Sequence, residues 1–273
     1  MALYDTIGGT YARFRRPDPR IAAIVAEALG DADSVVNIGA GTGGYEPSDR
    51  VVIAVEPSAV MIRQRPVGAA PCLQGSAAAL PLETASVDAA MAVLSAHHWP
   101  DLEQGFREMA RVARKRAVLL TWVPDADPFW LTEDYFPEIV AHDRTIFPNS
   151  VELGAMLERI IGPVQMTPVP VPHDCLDGFL CSYWRRPDAY LDAEVRSAMS
   201  SFARIDATPG LTQLGEDLES GRWVDRNGHL LNLDALDVGY RIVRSEIARD
   251  KLGSRLGLRG PIHPDDPEDN ERG

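Results

Sequence analysis

Between Ser34 and Val55 the chain reads "SVVNIGAGTGGYEPSDRVVIAV", two short aliphatic segments joined by a loop that carries Gly39, Gly41, Gly43 and Gly44. Aliphatic runs of this length bounded by turn residues read as buried strands, Ser34 to Ile38 and Val51 to Val55. Glycines crowded behind a strand mark a backbone that approaches a ligand closely or turns through positive φ. Only "YEPSDR" separates Gly44 from Val51, with Pro47 in its middle. At about 3.6 residues per turn that is less than two turns, so the two strands are joined without a proper helix.

The rest of the first half alternates strand and helix. Arg20 to Leu29 sets Ile21, Ile24, Val25 and Leu29 on one helical face and meets a stop at Gly30. Ser58 is placed to cap a helix through "SAVMIRQR". "PCLQG" is a candidate third strand, Val87 to Leu94 a fourth and Arg116 to Trp122 a fifth. Asp101 to Ala113 is amphipathic through Leu102, Phe106, Met109 and Val112. Such alternation implies an α/β, Rossmann-like fold whose parallel sheet receives ligands at the carboxyl ends of its strands.

The second half is different. Asp127 to Ile161 is aromatic and expected to be helical. Val164 to Pro172, "VQMTPVPVP", alternates, but its prolines suit only an edge strand or a strand end. Residues 173 to 232 read as partly helical, and Leu236 to Ser245 as a final strand able to pair antiparallel with an earlier one. The expected organisation is one domain over residues 1–260 with a helical cap inserted at about 124–232. The tail at 261–273, rich in proline and acid, is expected to be disordered.

Two ligands compete for the glycines. Gly39-x-Gly41-x-x-Gly44 satisfies the dinucleotide pattern, and Gly39-x-Gly41-x-Gly43 the pattern that cradles S-adenosylmethionine. A pyrophosphate needs the free amides and dipole of a helix directly after the glycines, and six residues do not supply one. Adenosylmethionine carries no phosphate; it needs a loop open to its methionyl and ribose portions and an acid for the ribose hydroxyls. Glu56, ending the second strand, stands where that acid is needed.

Four ordered stretches, "VVNIGAGTGGYEP", "VIAVEPSAVM", "GSAAALPLETASVDAAMAVLSAHHWPDLEQGFREMARVAR" and "AVLLTW", together resemble the class I S-adenosylmethionine-dependent methyltransferases over about Tyr4 to Trp122. The subgroup they are similar to is the small-molecule enzymes of ubiquinone and menaquinone biosynthesis. The resemblance implies a seven-stranded, mostly parallel sheet with an antiparallel last strand. It implies that Gly39, Gly41 and Gly43 line the cofactor, that Glu56 holds the ribose, that "GSA" with Ser76 and Ala77 borders the adenine, and that Leu94 and Ser95 flank the methionyl side. N-terminal segments often close over the cofactor in this family; Tyr4, Tyr11, Arg13, Arg15 and Arg16 lie in one, and Tyr11 and Arg16 are the candidates for the methionyl carboxylate. The chain departs from the family at Asn37, where many members carry Asp, at Ser76, commonly an acid, and at "RKRA", where a "PGG" turn is usual.

His97 and His98 follow the fourth strand, where cofactor and acceptor should meet. A histidine there can take the proton of a hydroxyl, amine or thiol that attacks a methyl group. Strand alternation would turn only one of them to the pocket, and the family likeness favours His97. The competing assignment is structural, with ring nitrogens bonded to loop carbonyls. Trp99 reads as packing, and His142 and His229 as ordinary exposed histidines. "PHDCLDGFLCSYW" gathers His173, Cys175, Phe179 and Tyr183 into an expected pocket wall with Phe129, Trp130 and Tyr135, which points to a partly apolar or aromatic acceptor. His173 and Cys175 have poor metal spacing and no second cluster, so no metal is expected.

The net charge of −13 disfavours a nucleic-acid surface, and three cysteines without CxxC spacing suit reduced thiols in a cytoplasm. No apolar run approaches the roughly 20 residues of a membrane helix, and the N-terminus lacks a secretory pattern. The expectation is a cytoplasmic methyltransferase for a small molecule, with no nucleic-acid or membrane partner; oligomeric state is not legible. Two rivals stay open at this level: a nicotinamide-dependent oxidoreductase, and a non-catalytic adenosylmethionine-binding protein allowed by Asn37 and Ser76.

Overall fold

Among the described residues, nine strands appear in chain order: β1 (Ser34–Ile38), β2 (Val51–Glu56), β3 (Cys72–Gln74), β4 (Val87–Val93), β5 (Ala113–Trp122), β6 (Val164–Pro168), β7 (Val171–Pro172), β8 (Ala235–Leu236) and β9 (Tyr240–Glu246). The computed structural model describes residues 11–248, with side chains from Arg13 onward. Tyr4 and the tail at 261–273 lie outside the described residues, as does the side chain of Tyr11. Seven strands form one sheet in the order β3-β2-β1-β4-β5-β9-β6, and β7 pairs with β8 separately. The first five are parallel; β9 enters antiparallel between β5 and β6. The antiparallel last strand is thus interior, and β6, with its terminal Pro168, takes the edge where a missing N–H costs least.

Helices cover the sheet. α1 (Pro19–Leu29) is capped by Asp18, whose side chain accepts the Arg20 amide, and it buries Ile21, Val25 and Leu29. α2 (Ala59–Arg63) is capped by Ser58, and α3 (Leu102–Val112) by Asp101. α3 turns Phe106, Met109 and Val112 inward against β4, which is buried from Val87 to Ala92 as a doubly covered strand must be. β5 starts at Ala113, earlier than its aliphatic pattern suggests. Its extra residues are Ala113, Arg114 and Lys115: Arg114 pairs with Asp88 at 2.8 Å, and the next arginine, Arg116, with Asp31 at 2.7 Å. These ion pairs tie β5 to β4 itself and to the loop before β1.

The insertion expected over 124–232 is divided. α4 (Pro137–Ile146) lies over the carboxyl ends of the strands, but α5 (Ser150–Ile160), with its Asn149–Glu152 capping box, packs on α3, and β6 joins the sheet. Ser150 to Pro168 therefore belongs to the α/β layer, because Leu153, Leu157 and Ile160 share the core formed by Phe106 and Met109. The remaining cap combines α4 and the preceding turn Leu131–Tyr135 with the short helices between Leu180 and Asn232.

Candidate active site

A cavity of about 700 Å³ opens at the carboxyl ends of β1, β2 and β4. Its floor is the glycine loop, which runs from β1 to β2 through turns alone. Gly39 has φ +67°, and a Cβ there would lie 2.7 Å from Ser95 Cβ, so only glycine lets this turn pass the start of the loop after β4. Ser95 Oγ donates to the Ile38 carbonyl at 2.8 Å and locks the two loops together.

Under the loop lies a buried ion pair. Arg65 Nη2 donates to both oxygens of Glu46 at 2.9 and 2.7 Å, and Asn37 Nδ2 donates to Glu46 Oε1 at 3.1 Å. Asn37 therefore serves as a donor, and an aspartate in its place would set two carboxylates against each other. Gly43, with φ +94°, covers this pair: a Cβ would fall 3.2 Å from both Arg65 Nη1 and Glu46 Oε2. It does not line the cavity, whereas Gly39, Gly41 and Gly44 do.

Glu56 closes the other side. Its Oε2 accepts the Gly41 amide and its Oε1 the Ser58 amide, both at 2.8 Å, and the residue is nearly buried. A carboxylate offers about four acceptor positions, more than these two amides use, so Glu56 can hold a ligand's hydroxyls while it fixes the loop. Ser76 and Ala77 line the adjoining wall. Their turn is steadied from α3, where Glu108 accepts the Leu80 amide at 2.7 Å and Arg111 Nη1 donates to the Leu82 carbonyl at 2.7 Å.

Leu94, Ser95, His97 and His98 form the wall after β4. Both histidines reach the cavity, contrary to the alternation argument, because they sit on a 3₁₀ turn (Ala96–His98) rather than on the strand. Their rings lie 3.8 Å apart, and His97 stacks on Phe147 at 4.6 Å. Burial holds the His97 pKa well below the usual histidine range, helped by the charge of His98, Arg204 and Arg15, and lowers that of His98 to about 4. Both rings are neutral at neutral pH. Trp99 packs edge-on against Phe106 and over Gly105, while its Nε1, without a hydrogen-bond partner among the described residues, stands beside Gly39.

The N-terminal segment closes one side through Arg15. Arg15 Nε donates to Asp177 Oδ1 at 2.6 Å, and Tyr45 OH donates to Asp177 Oδ2 at 2.9 Å. Arg16 is exposed and does not line this cavity, so the arginine at the site is its neighbour. Asp177 and Tyr45 had no motif of their own in the sequence. His142 also lines the cavity and meets Arg204, contrary to its reading as an ordinary exposed residue.

A smaller cavity of about 90 Å³ adjoins the first, sharing Arg15, Leu94, His97, Ile146 and Arg204 with it. Phe129 and Phe179 line it, with Trp122, Phe147 and Tyr240. The other expected wall residues stand elsewhere. Trp130 Nε1 donates to the Trp184 carbonyl and Tyr135 OH to Asp217, both inside the core of the cap. His173 bonds the Asp234 carbonyl beside the β7–β8 ladder, Tyr183 packs on Tyr190, and Cys175 is buried with its thiol pushed up to about 11 by burial. That thiol is no nucleophile at neutral pH. Among the described residues no three His, Cys, Asp or Glu side chains are grouped to hold a metal ion. No helix there is long and apolar enough to cross a membrane.

The family model of a methyltransferase domain matches residues 36–121. A solved protein of Anabaena variabilis, assigned as a methyltransferase from an antibiotic biosynthesis pathway, is 36% identical with a TM-score of 0.79 over 85% of this chain and 98% of its own. Phosphoethanolamine N-methyltransferase 2 of Haemonchus contortus, in complex with S-adenosyl-L-methionine, shares the fold at 11% identity and TM-score 0.57, over 90% of this chain and 58% of its own. The [4+2]-cyclase SpnF shares it at 13% and 0.52, over 90% and 93%. None of the curated proteins matches the sequence.

Proposed function

Because the chain belongs to the S-adenosylmethionine-dependent methyltransferases, we propose that it methylates a small, partly apolar or aromatic acceptor where its two cavities meet. One observation carries this reading: nine candidate residues from separate loops, Gly39, Gly41, Glu56, Ser76, Ala77, Leu94, Ser95, His97 and His98, line one cavity, and an aromatic cavity opens beside His97. The site fits the cofactor's chemistry. Glu56 presents a carboxylate to the ribose hydroxyls, Gly39 and Gly41 bring backbone close to the methionyl portion, and the unpartnered Trp99 Nε1 stands at the same loop.

When bound, S-adenosylmethionine supplies an activated methyl group on a sulfonium sulfur. The chain's residues do the rest. Leu94 and His97 bound the junction, so they orient the acceptor for in-line displacement, which by itself supplies much of a transfer's acceleration. A ring nitrogen of neutral His97 accepts the acceptor's proton as the new bond forms. Its depressed basicity makes it a weaker base than a histidine with a pKa near 7. An apolar acceptor accords with the small-molecule subgroup of ubiquinone and menaquinone biosynthesis. The nicotinamide reading loses its footing, since no helix N-terminus follows the glycines to hold a pyrophosphate.

Calorimetric titration with adenosylmethionine, S-adenosylhomocysteine and a reduced nicotinamide tests this. Micromolar binding of the first two, weakened in Glu56→Ala, is expected. Binding of the nicotinamide alone would overturn it.

A further inference from the structure

Seven carboxylates are buried among the described residues, and six accept hydrogen bonds from described donors. Asp18 and Asp177 accept from arginines, as does Asp217. Glu56 accepts two backbone amides. Asp88 and Glu108 each take an arginine and an amide. The seventh, Asp143, is 9% exposed, and no described group donates a hydrogen bond to its carboxylate. It sits on the inward face of α4, one turn after buried Ile139, where an apolar residue would pack without penalty. Its carboxylate is not sealed from solvent but opens on a cavity, so it can accept from whatever fills that space.

The smaller cavity is the only space of the two that Asp143 lines. Its remaining walls are largely aromatic and aliphatic, Phe129, Phe147 and Phe179 among them. Arg15 and Arg204 stand at its junction with the larger cavity, and their charge also helps keep the two histidines unprotonated. Arg15 is paired with Asp177, and the Arg204 charge acts on Asp143, so a neutral molecule with a donor fits there without adding an uncompensated charge.

We infer that Asp143 selects the acceptor: it receives a hydrogen bond from a neutral hydroxyl on a small aromatic molecule whose ring lies against Phe129, Phe147 and Phe179. This rests on the reading that the acceptor occupies the smaller cavity. The hydroxyl bound by Asp143 anchors one end, and another atom of the ring or its substituents faces His97 and Leu94. Asp143 is a specificity-determining residue and needs no part in the transfer itself.

The test compares two probes of equal shape, p-cresol and p-xylene, titrated into protein saturated with S-adenosylhomocysteine and followed by ligand-observed NMR. Wild type should favour p-cresol by about 10-fold or more, the range of a hydrogen bond to a charged group. Asp143→Leu should lose that preference, keep S-adenosylhomocysteine affinity by calorimetry, and unfold at the same or a higher denaturant concentration. A merely structural Asp143 would instead lower the unfolding midpoint and leave the preference intact. Equal binding of both probes to wild type, or an unchanged preference in Asp143→Leu, overturns the assignment to Asp143 while leaving the aromatic acceptor standing. Binding of neither probe, with S-adenosylhomocysteine still bound, overturns the aromatic acceptor and this inference together.

Discussion

Replacing Glu56 by Gln separates the two jobs assigned to this side chain. The carboxylate accepts the Gly41 amide on one oxygen and the Ser58 amide on the other, each at 2.8 Å. Glutamine keeps the shape but only one acceptor oxygen, so its NH₂ must oppose one of the two backbone donors. A hydrogen bond to a charged group contributes about 1.5–3 kcal/mol, and one is lost, so the apo protein should lose about 2 kcal/mol. For a chain of this size that lowers Tm by about 4–8 °C. The remaining oxygen binds a ribose hydroxyl without charge assistance; a further loss of about 2 kcal/mol would weaken S-adenosylhomocysteine about 30-fold. Thermal unfolding of the apo protein followed by circular dichroism gives the first number, and calorimetric titration the second. An unchanged Tm would refute the claim that Glu56 pins the glycine loop, and unchanged affinity would refute its role at the ribose.

Gly39→Ala should abolish S-adenosylhomocysteine binding in calorimetry, because the added methyl meets Ser95 Cβ at 2.7 Å at a positive φ. Tyr45→Phe leaves Asp177 without a donor that it receives at 2.9 Å, and should lower stability by about 1–3 kcal/mol in urea unfolding. Asp18 is buried, and its hydrogen bond from Arg20 lowers its pKa from 3.8 to about 2. Such a depressed carboxylate stabilises the fold above its unfolded pKa and ceases to as it protonates. The stability gap between wild type and Asp18→Asn should therefore be about 2 kcal/mol at neutral pH and narrow as pH falls from about 4 towards 2. A gap that does not narrow in that window, measured by urea unfolding at each pH, would refute it. His97→Ala should lower turnover by about 100-fold on an acceptor found by screening phenols and amines; unchanged turnover removes His97 as the base.

Local patterns carried the α/β half of the molecule. A strand buried on both faces has to be a short aliphatic run, and a helix on its surface has to show a periodic apolar face, so β1, β2, β4, α1 and α3 could be read from residues alone. The loop too short for a helix was equally plain, since six residues with a proline cannot make one. The meeting of Gly39, Gly41 and Glu56 at one cavity follows from chain connectivity, which ties them to strand ends. Distance along the chain hid the rest. Asp177 is 162 residues from Arg15 and 132 from Tyr45, and nothing in any of the three segments announces that they meet. Asn37 stands where the resemblance implies an aspartate, and only the Glu46–Arg65 pair that folding places beneath it gives its amide a partner. The aromatic character of Trp130, Tyr135 and Tyr183 suggests a pocket wall, but burial area drives such rings into any core equally well, and the cap uses them for its own. Asp143 is hidden for the opposite reason: a single acid on an ordinary helix acquires meaning only when packing turns it onto an aromatic cavity. Backbone periodicity is a local property and survives in one dimension; partnership between side chains is created by the folding that brings them together.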